Sequence, residues 1–293
     1  MEKNVLHYFV DTNSSRGFVS FWESNFGKLE KVVKLDGYPD LLVTQLVSQA
    51  CAQALGCEQE VELVHNCLDN SLQGIILPGQ KTGLLNLPAY GDESYSLRLT
   101  EDENLSKARK RVQRAYGCFG QALKIHDDWE RIFISSMDFE AMDELAEETA
   151  EKLFGGQKTD HAGSCADRFF GAATVNGSYD YIPNITQEIP KRYFLKGRPG
   201  TGKSTFLKML ARAAQDRGYR TEAYHCAFDP NSLDMIAVRE LGLCVFDSTA
   251  PHEYFPDRDS DEIIDIYKAA VQPGTDEKYE KEIRSEEHTS ELQ

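Results

Sequence analysis

Hydrophobic positions change period along the chain, and each change marks an element. Arg192-Tyr193-Phe194-Leu195, inside Lys191 to Lys196, is a short strand-like run. After a glycine-rich break, Phe206, Leu207, Leu210, Ala211 and Ala214 recur at the spacing of one helix face. Gly218 follows where a left-handed helix cap belongs. Leu241-Gly242-Leu243-Cys244-Val245-Phe246-Asp247 is an apolar run closed by an acid, the pattern of a buried strand. Upstream, Leu105, Ala108, Val112, Ala115, Phe119 and Ala122 keep heptad-like spacing. Trp129, Ile132, Phe133, Met137, Met142, Leu145, Thr149 and Leu153 predict a second long helix, broken near Ser135. Gly155-Gly156 ends it, and residues 157–160 read as a linker. A helical hairpin projecting from the N-terminal part is expected.

The glycine-rich break reads Gly197-Arg198-Pro199-Gly200-Thr201-Gly202-Lys203-Ser204, with Thr205 following. It matches G-x-x-x-x-G-K-[ST], the Walker A phosphate loop. Average composition gives about a 1% chance of one such match in a chain this long, and a strand before it and a helix after it lower that chance. The residue types follow from the chemistry. Gly197, Gly200 and Gly202 open backbone angles closed to other residues and bring amide N–H groups against phosphate oxygens. A helix starting near Lys203 adds its positive end to the same anion. Lys203 is expected to bridge β- and γ-phosphates, and the Ser204 hydroxyl to ligate Mg²⁺. Asp247, ending the apolar run, is the candidate second Mg²⁺ ligand. Ser248 follows it where many hydrolysing enzymes of this class place a water-activating glutamate; Glu253 and His252 are the nearby substitutes. Arg198 either reaches a phosphate or acceptor or faces solvent.

A repeat runs beneath these elements. Lys34-Leu35-Asp36-Gly37-Tyr38-Pro39-Asp40 parallels Phe194 to Gly200 at an offset of 160, and Glu62 to Asp69 parallels Glu222 to Asp229 at the same offset. Asn70-Ser71-Leu72 and Thr82 to Asn86 then match Asn231-Ser232-Leu233 and Leu243 to Asp247. The first copy has lost the phosphate chemistry. Asp40 and Leu42 replace Gly200 and Gly202, Val43 replaces Lys203, Asn86 replaces Asp247, and only Thr44 keeps the hydroxyl of Ser204. Each copy carries a histidine with an aspartate four residues on, His65/Asp69 and His225/Asp229. The pair reads either as a base or metal pair, or as a strand end whose aspartate caps the next helix.

Together the aromatic start His7-Tyr8-Phe9, Gly17-Phe18-Val19-Ser20, the Walker A stretch, His225-Cys226 with Asp229-Pro230, and Asp247-Ser248-Thr249-Ala250-Pro251-His252 resemble an uncharacterised bacterial family of predicted ATPases with tandem P-loop modules. The resemblance spans most of residues 5 to 283 and implies nucleoside triphosphate binding on an α/β fold. It brings no substrate, and the ruined first loop departs from it.

Composition bounds the partners. The chain has 293 residues, 41% hydrophobic and 27% charged, with formal net charge -16. Such an acidic surface repels phosphate backbones, so nucleic acid is not the expected partner. The Lys107-Ala108-Arg109-Lys110-Arg111 cluster is the exception, read as a solvated helix face, a docking site for an acidic partner, or a source of an arginine acting in trans. No apolar window reaches membrane-spanning length, and the start lacks a secretory leader, so a cytoplasmic protein is expected. Seven cysteines without a C-x-x-C pair read as reduced thiols. Residues 284–293 have no periodicity and resemble a translated sequencing adapter, which leaves the second module incomplete near Ile283.

The expected architecture is α/β, with two P-loop-like modules of mainly parallel sheets: residues 1–99 degenerate, 100–158 the helical insert, 159–283 the nucleotide module and 284–293 a non-native tail. The expected function is binding of a nucleoside triphosphate, ATP with Mg²⁺, through Gly197, Arg198, Pro199, Gly200, Thr201, Gly202, Lys203, Ser204, Thr205 and Asp247, with slow hydrolysis. The alternatives are γ-phosphate transfer to a small molecule, and a non-enzymatic, nucleotide-gated module whose helical hairpin holds a protein partner.

Overall fold

A computed structural model describes residues 3–35, 38–86, 103–156, 158–250 and 253–283. In chain order the elements begin β1 (Val5–Phe9), β2 (Asp11–Ser14), β3 (Gly17–Ser20), α1 (Trp22–Phe26), β4 (Lys31–Lys34), α2 (Asp40–Gly56), β5 (Val61–His65), β6 (Leu72–Leu77) and β7 (Thr82–Leu85). Two helices follow, α3 (Glu103–Ile134) and α4 (Phe139–Phe154). Then come β8 (Ser164–Phe169), β9 (Gly171–Thr174), β10 (Gly177–Asp180), α5 (Ile182–Thr186), β11 (Lys191–Lys196), α6 (Lys203–Asp216), β12 (Arg220–His225), β13 (Leu233–Val238) and β14 (Leu243–Asp247). The described chain closes with β15 (Glu262–Asp265), α7 (Ile266–Ala270) and α8 (Thr275–Lys278). This is the expected α/β class.

The order β–β–β–α–β–α–β–β–β occurs twice, from β1 to β7 and from β8 to β14. Strand pairing repeats with it. β4 pairs parallel with β7 as β11 does with β14, while β5–β6–β7 and β12–β13–β14 are antiparallel. The register shifts between Val64 and His65, and again between Tyr224 and His225, at the same 160-residue offset. The repeat read from the sequence is therefore present in element order and register. The antiparallel meander inside each copy is a detail that the expectation of mainly parallel sheets lacked.

The chain forms two compact units, each built from separate segments. The first takes Met1–Cys118, Asp167–Gln187 and Cys226–Pro230; the second takes Phe119–Ala166, Glu188–His225 and Asn231–Gln293. In the first, Val43, Val47, Cys51 and Ala54 of α2 pack on Val61, Leu63 and Ile75. In the second, α4 buries Met142, Ala146, Ala150 and Phe154 in one core with Phe206, Leu207, Leu210, Ala211 and Ala214 of α6. The helical insert is divided: α3 as far as Cys118 is counted with the first unit, while the rest of α3 and α4 belong to the second, where the apolar stripe of α4 meets that of α6. The break expected near Ser135 is present, and the two predicted helices before it are one continuous helix. α3 runs through Trp129 to Ile134 with no proline to stop it, and the chain turns at Ser135, after which Asp138 caps α4 by accepting from the Ala141 amide at 3.0 Å. Within the stretch read as a linker, the Thr159 amide donates to Arg217 O at 2.8 Å. Leu210 is wholly buried between α4 and the sheet. Leu210→Ala is expected to lower unfolding free energy by about 2–5 kcal/mol, read as a drop in the urea midpoint.

Candidate phosphate-binding site

β11 lies between β14 and β15, parallel to both, with Leu195 opposite Asp247 and Lys196 opposite Asp265. The loop leaving β11 therefore emerges at the carboxyl end of three parallel strands, where open α/β sheets bind ligands. Side chains alternate along β11. Tyr193 and Leu195 enter the core shared with α4 and α6, whereas Phe194 packs on Phe246 and Arg192 and Lys196 hold the segment before β15.

Gly200 and Gly202 take φ of +78° and +80°, a region that side chains disfavour, whereas Gly197 does not and is instead crowded, since a Cβ there would lie 2.5 Å from Thr201 Oγ1. Space at Gly200 is closed as well: a Cβ there would lie 2.4 Å from the Glu130 carbonyl oxygen of α3. Thr201 is buried, and its hydroxyl donates to Arg198 O at 2.7 Å, holding the turn. Gly202 is the N-cap of α6 and provides no side-chain acceptor for the first-turn amides, leaving the positive helix end for an external anion. Gly197 to Gly200 and Gly202 to Ser204, Pro199 included, are partly exposed, and Thr205 is exposed.

Lys203 begins α6 with its side chain turned back over the loop. Its Nζ donates to Gly197 O at 2.8 Å and Arg198 O at 3.0 Å, and lies 3.6 Å from Asp247 Oδ2. Asp247 is held from behind, because its Oδ1 accepts from the Thr249 amide at 3.0 Å and the Thr249 hydroxyl at 2.6 Å. Ser204 Oγ accepts from the Leu233 amide at 2.9 Å, which leaves a second lone pair on that oxygen. Arg198 reaches Asp276 of α8 at 3.2 Å, so it is paired within the fold. Ser248 is buried beside Leu195 O. Glu253 is exposed, and His252 lies outside the described residues.

The sequence reading thus assembled Lys203, Asp247 and the loop, which the fold brings together. It missed Thr249, whose only signal was a hydroxyl two residues after the acid. It also missed Arg192, which binds both carboxylate oxygens of Asp261 at 2.9 and 2.5 Å and contacts Asp257. The Arg192 guanidinium holds the Asp261 carboxyl down at about 2.

The corresponding helix start in the first copy carries an acid. α2 starts at Asp40, whose carboxylate accepts from Asn86 Nδ2 at 3.2 Å. Burial, followed by the nearby Asp69, raises the Asp40 carboxyl above its ordinary value. Val43 is buried, and Thr44 donates to Leu72 O at 3.2 Å. A carboxylate at the helix start disfavours an anion there.

His65 and Asp69 take different partners. His65 Nε2 lies 2.9 Å from His7 Nδ1, and His65 Nδ1 lies 3.1 Å from Asn70 O and 3.0 Å from Tyr181 OH. Asp69 accepts from the Ser71 amide and hydroxyl, and Asp229 from Arg16 at 2.7 Å. The aspartate caps a turn leading into strand β6 and not a helix, because the strand that follows pairs back on β5.

No protein-family model, curated protein or solved structure matches the chain. Among the described residues no helix is long and apolar enough to cross a membrane.

Proposed function

We propose that the chain binds one nucleoside triphosphate, ATP together with Mg²⁺, through residues 197–205 and Asp247. One observation carries the reading. The Lys203 ammonium sits between two loop carbonyls and the Asp247 carboxylate, at the start of a helix whose first amides have no side-chain cap. A triphosphate entering there meets amides, a helix end and an ammonium together.

Ser204 and Asp247 fit a small hard cation, since both offer oxygen donors and one lone pair of Ser204 remains open. Mg²⁺, when bound, would neutralise phosphate charge; Lys203 and the loop amides position the phosphates. A second reading is supported by Ser248. No carboxylate follows Asp247, which favours slow turnover or transfer of the γ-phosphate to an acceptor over rapid hydrolysis. Incubation with γ-labelled ATP separates the outcomes. Slow, Mg²⁺-dependent release of labelled phosphate is expected, and labelled small-molecule product in cell extract would mark a kinase. Failure of ATP to bind at all would remove both readings.

A further inference from the structure

Beside the phosphate loop, β11 carries a second construction that phosphate binding does not use. Phe255 is 65% exposed, yet its surroundings are fixed. Lys196, the residue before Gly197, places its ammonium 4.7 Å from the Phe255 ring centroid. The same ammonium donates to Ser248 O at 2.5 Å and Tyr254 O at 3.3 Å, so it acts as a strut and is engaged by carbonyls. Tyr254 meets Phe246 edge-on at 6.5 Å, and Phe246 packs on Phe194 at 4.7 Å. At the other end of the segment, Arg192 grips Asp257 and Asp261. Arg192, Phe194 and Lys196 alternate along one side of the strand that feeds the loop. Together they hold a large apolar ring open to solvent next to that loop.

A water-exposed aromatic ring backed by a cation suits stacking by an electron-rich flat ring, because the ammonium draws charge from its π face. A nucleoside triphosphate carries such a ring on the end remote from its γ-phosphate. We propose that Phe255, with Lys196 behind it, is the platform on which the purine base stacks. This rests on the reading that residues 197–205 hold the triphosphate, and it adds the residue that recognises the base.

The test compares ATP·Mg²⁺ with inorganic tripolyphosphate·Mg²⁺, which has no base, on the wild-type chain and on Phe255→Ala and Phe255→Trp. Phe255→Ala is expected to weaken ATP about tenfold or more and to leave tripolyphosphate unchanged, while Phe255→Trp keeps ATP affinity. Equal ATP affinity in wild type and Phe255→Ala, with tripolyphosphate still bound, would overturn the platform and leave the phosphate site standing. Equal weakening of both ligands would also overturn it, because the residue would then act on the loop. A wild-type chain that binds neither ligand would overturn the triphosphate reading itself.

Discussion

Lys203→Ala is expected to weaken ATP·Mg²⁺ binding by about 100-fold or more, with the folded structure retained. Removing one partner from a hydrogen-bonded, partly buried charge pair costs about 2–5 kcal/mol, and each 1.4 kcal/mol is tenfold. The lysine is 10% exposed, and its protein partners are two carbonyls and a carboxylate. Those carbonyls face water or loop amides once it is gone, so stability changes by about 1 kcal/mol. Equilibrium dialysis gives the affinity, and the urea midpoint gives the fold. Val43→Lys in the first copy is expected to create no second site, because Asp40 still occupies the start of α2 and Asn86 still replaces the acid. Its signature is an unchanged binding stoichiometry.

The second large effect is a pair of opposed pH dependences in the first unit. Asp11 is fully buried and accepts from Gln73 at 2.9 Å; burial pushes its carboxyl from 3.8 to about 6. The folded chain holds that proton more tightly than the unfolded chain does. Its contribution is therefore complete below about pH 4 and is lost as pH rises through 6. His65 behaves in the opposite sense. Burial, outweighing the Asn70 carbonyl, lowers it from 6.5 to about 4, so its contribution is complete above 6.5 and is lost as pH falls through 4. Each spans roughly 3 kcal/mol over its window, and between pH 4 and 6 the two oppose each other. Asp11→Asn is expected to make stability rise across that window, and His65→Gln to make it fall. Urea midpoints at pH 4, 5 and 6 measure both slopes; identical slopes in the two variants would refute the assignment.

The glycine-rich loop was legible because its geometry is written in local residue types: Gly200 and Gly202 at positions of positive φ, then a lysine on the first helical turn. Gly218 was legible in the same way, and it takes φ of +90° after α6. The repeat could be read because β5 and β12, and α2 and α6, bury matching positions 160 residues apart, among them Leu63 and Ala223, Val47 and Leu207, and Cys51 and Ala211. Other features depend on partners distant in sequence. The tip of β8 through α5 joins the first unit, where Arg168 pairs with Glu62 at 2.8 Å and Asn184 accepts from the His7 amide at 2.8 Å. Neither contact has a periodic signature. Asp69 misled because an aspartate before a turn looks the same whether helix or strand comes next. Thr249 and Arg192 became visible only once β11 and β14 were side by side.

Calorimetric titration of the wild-type chain with ATP in the presence of Mg²⁺ tests the central assignment most directly. A single site per chain, lost in the Lys203 variant, is the predicted result. Two sites, none, or binding that survives removal of that ammonium would contradict it.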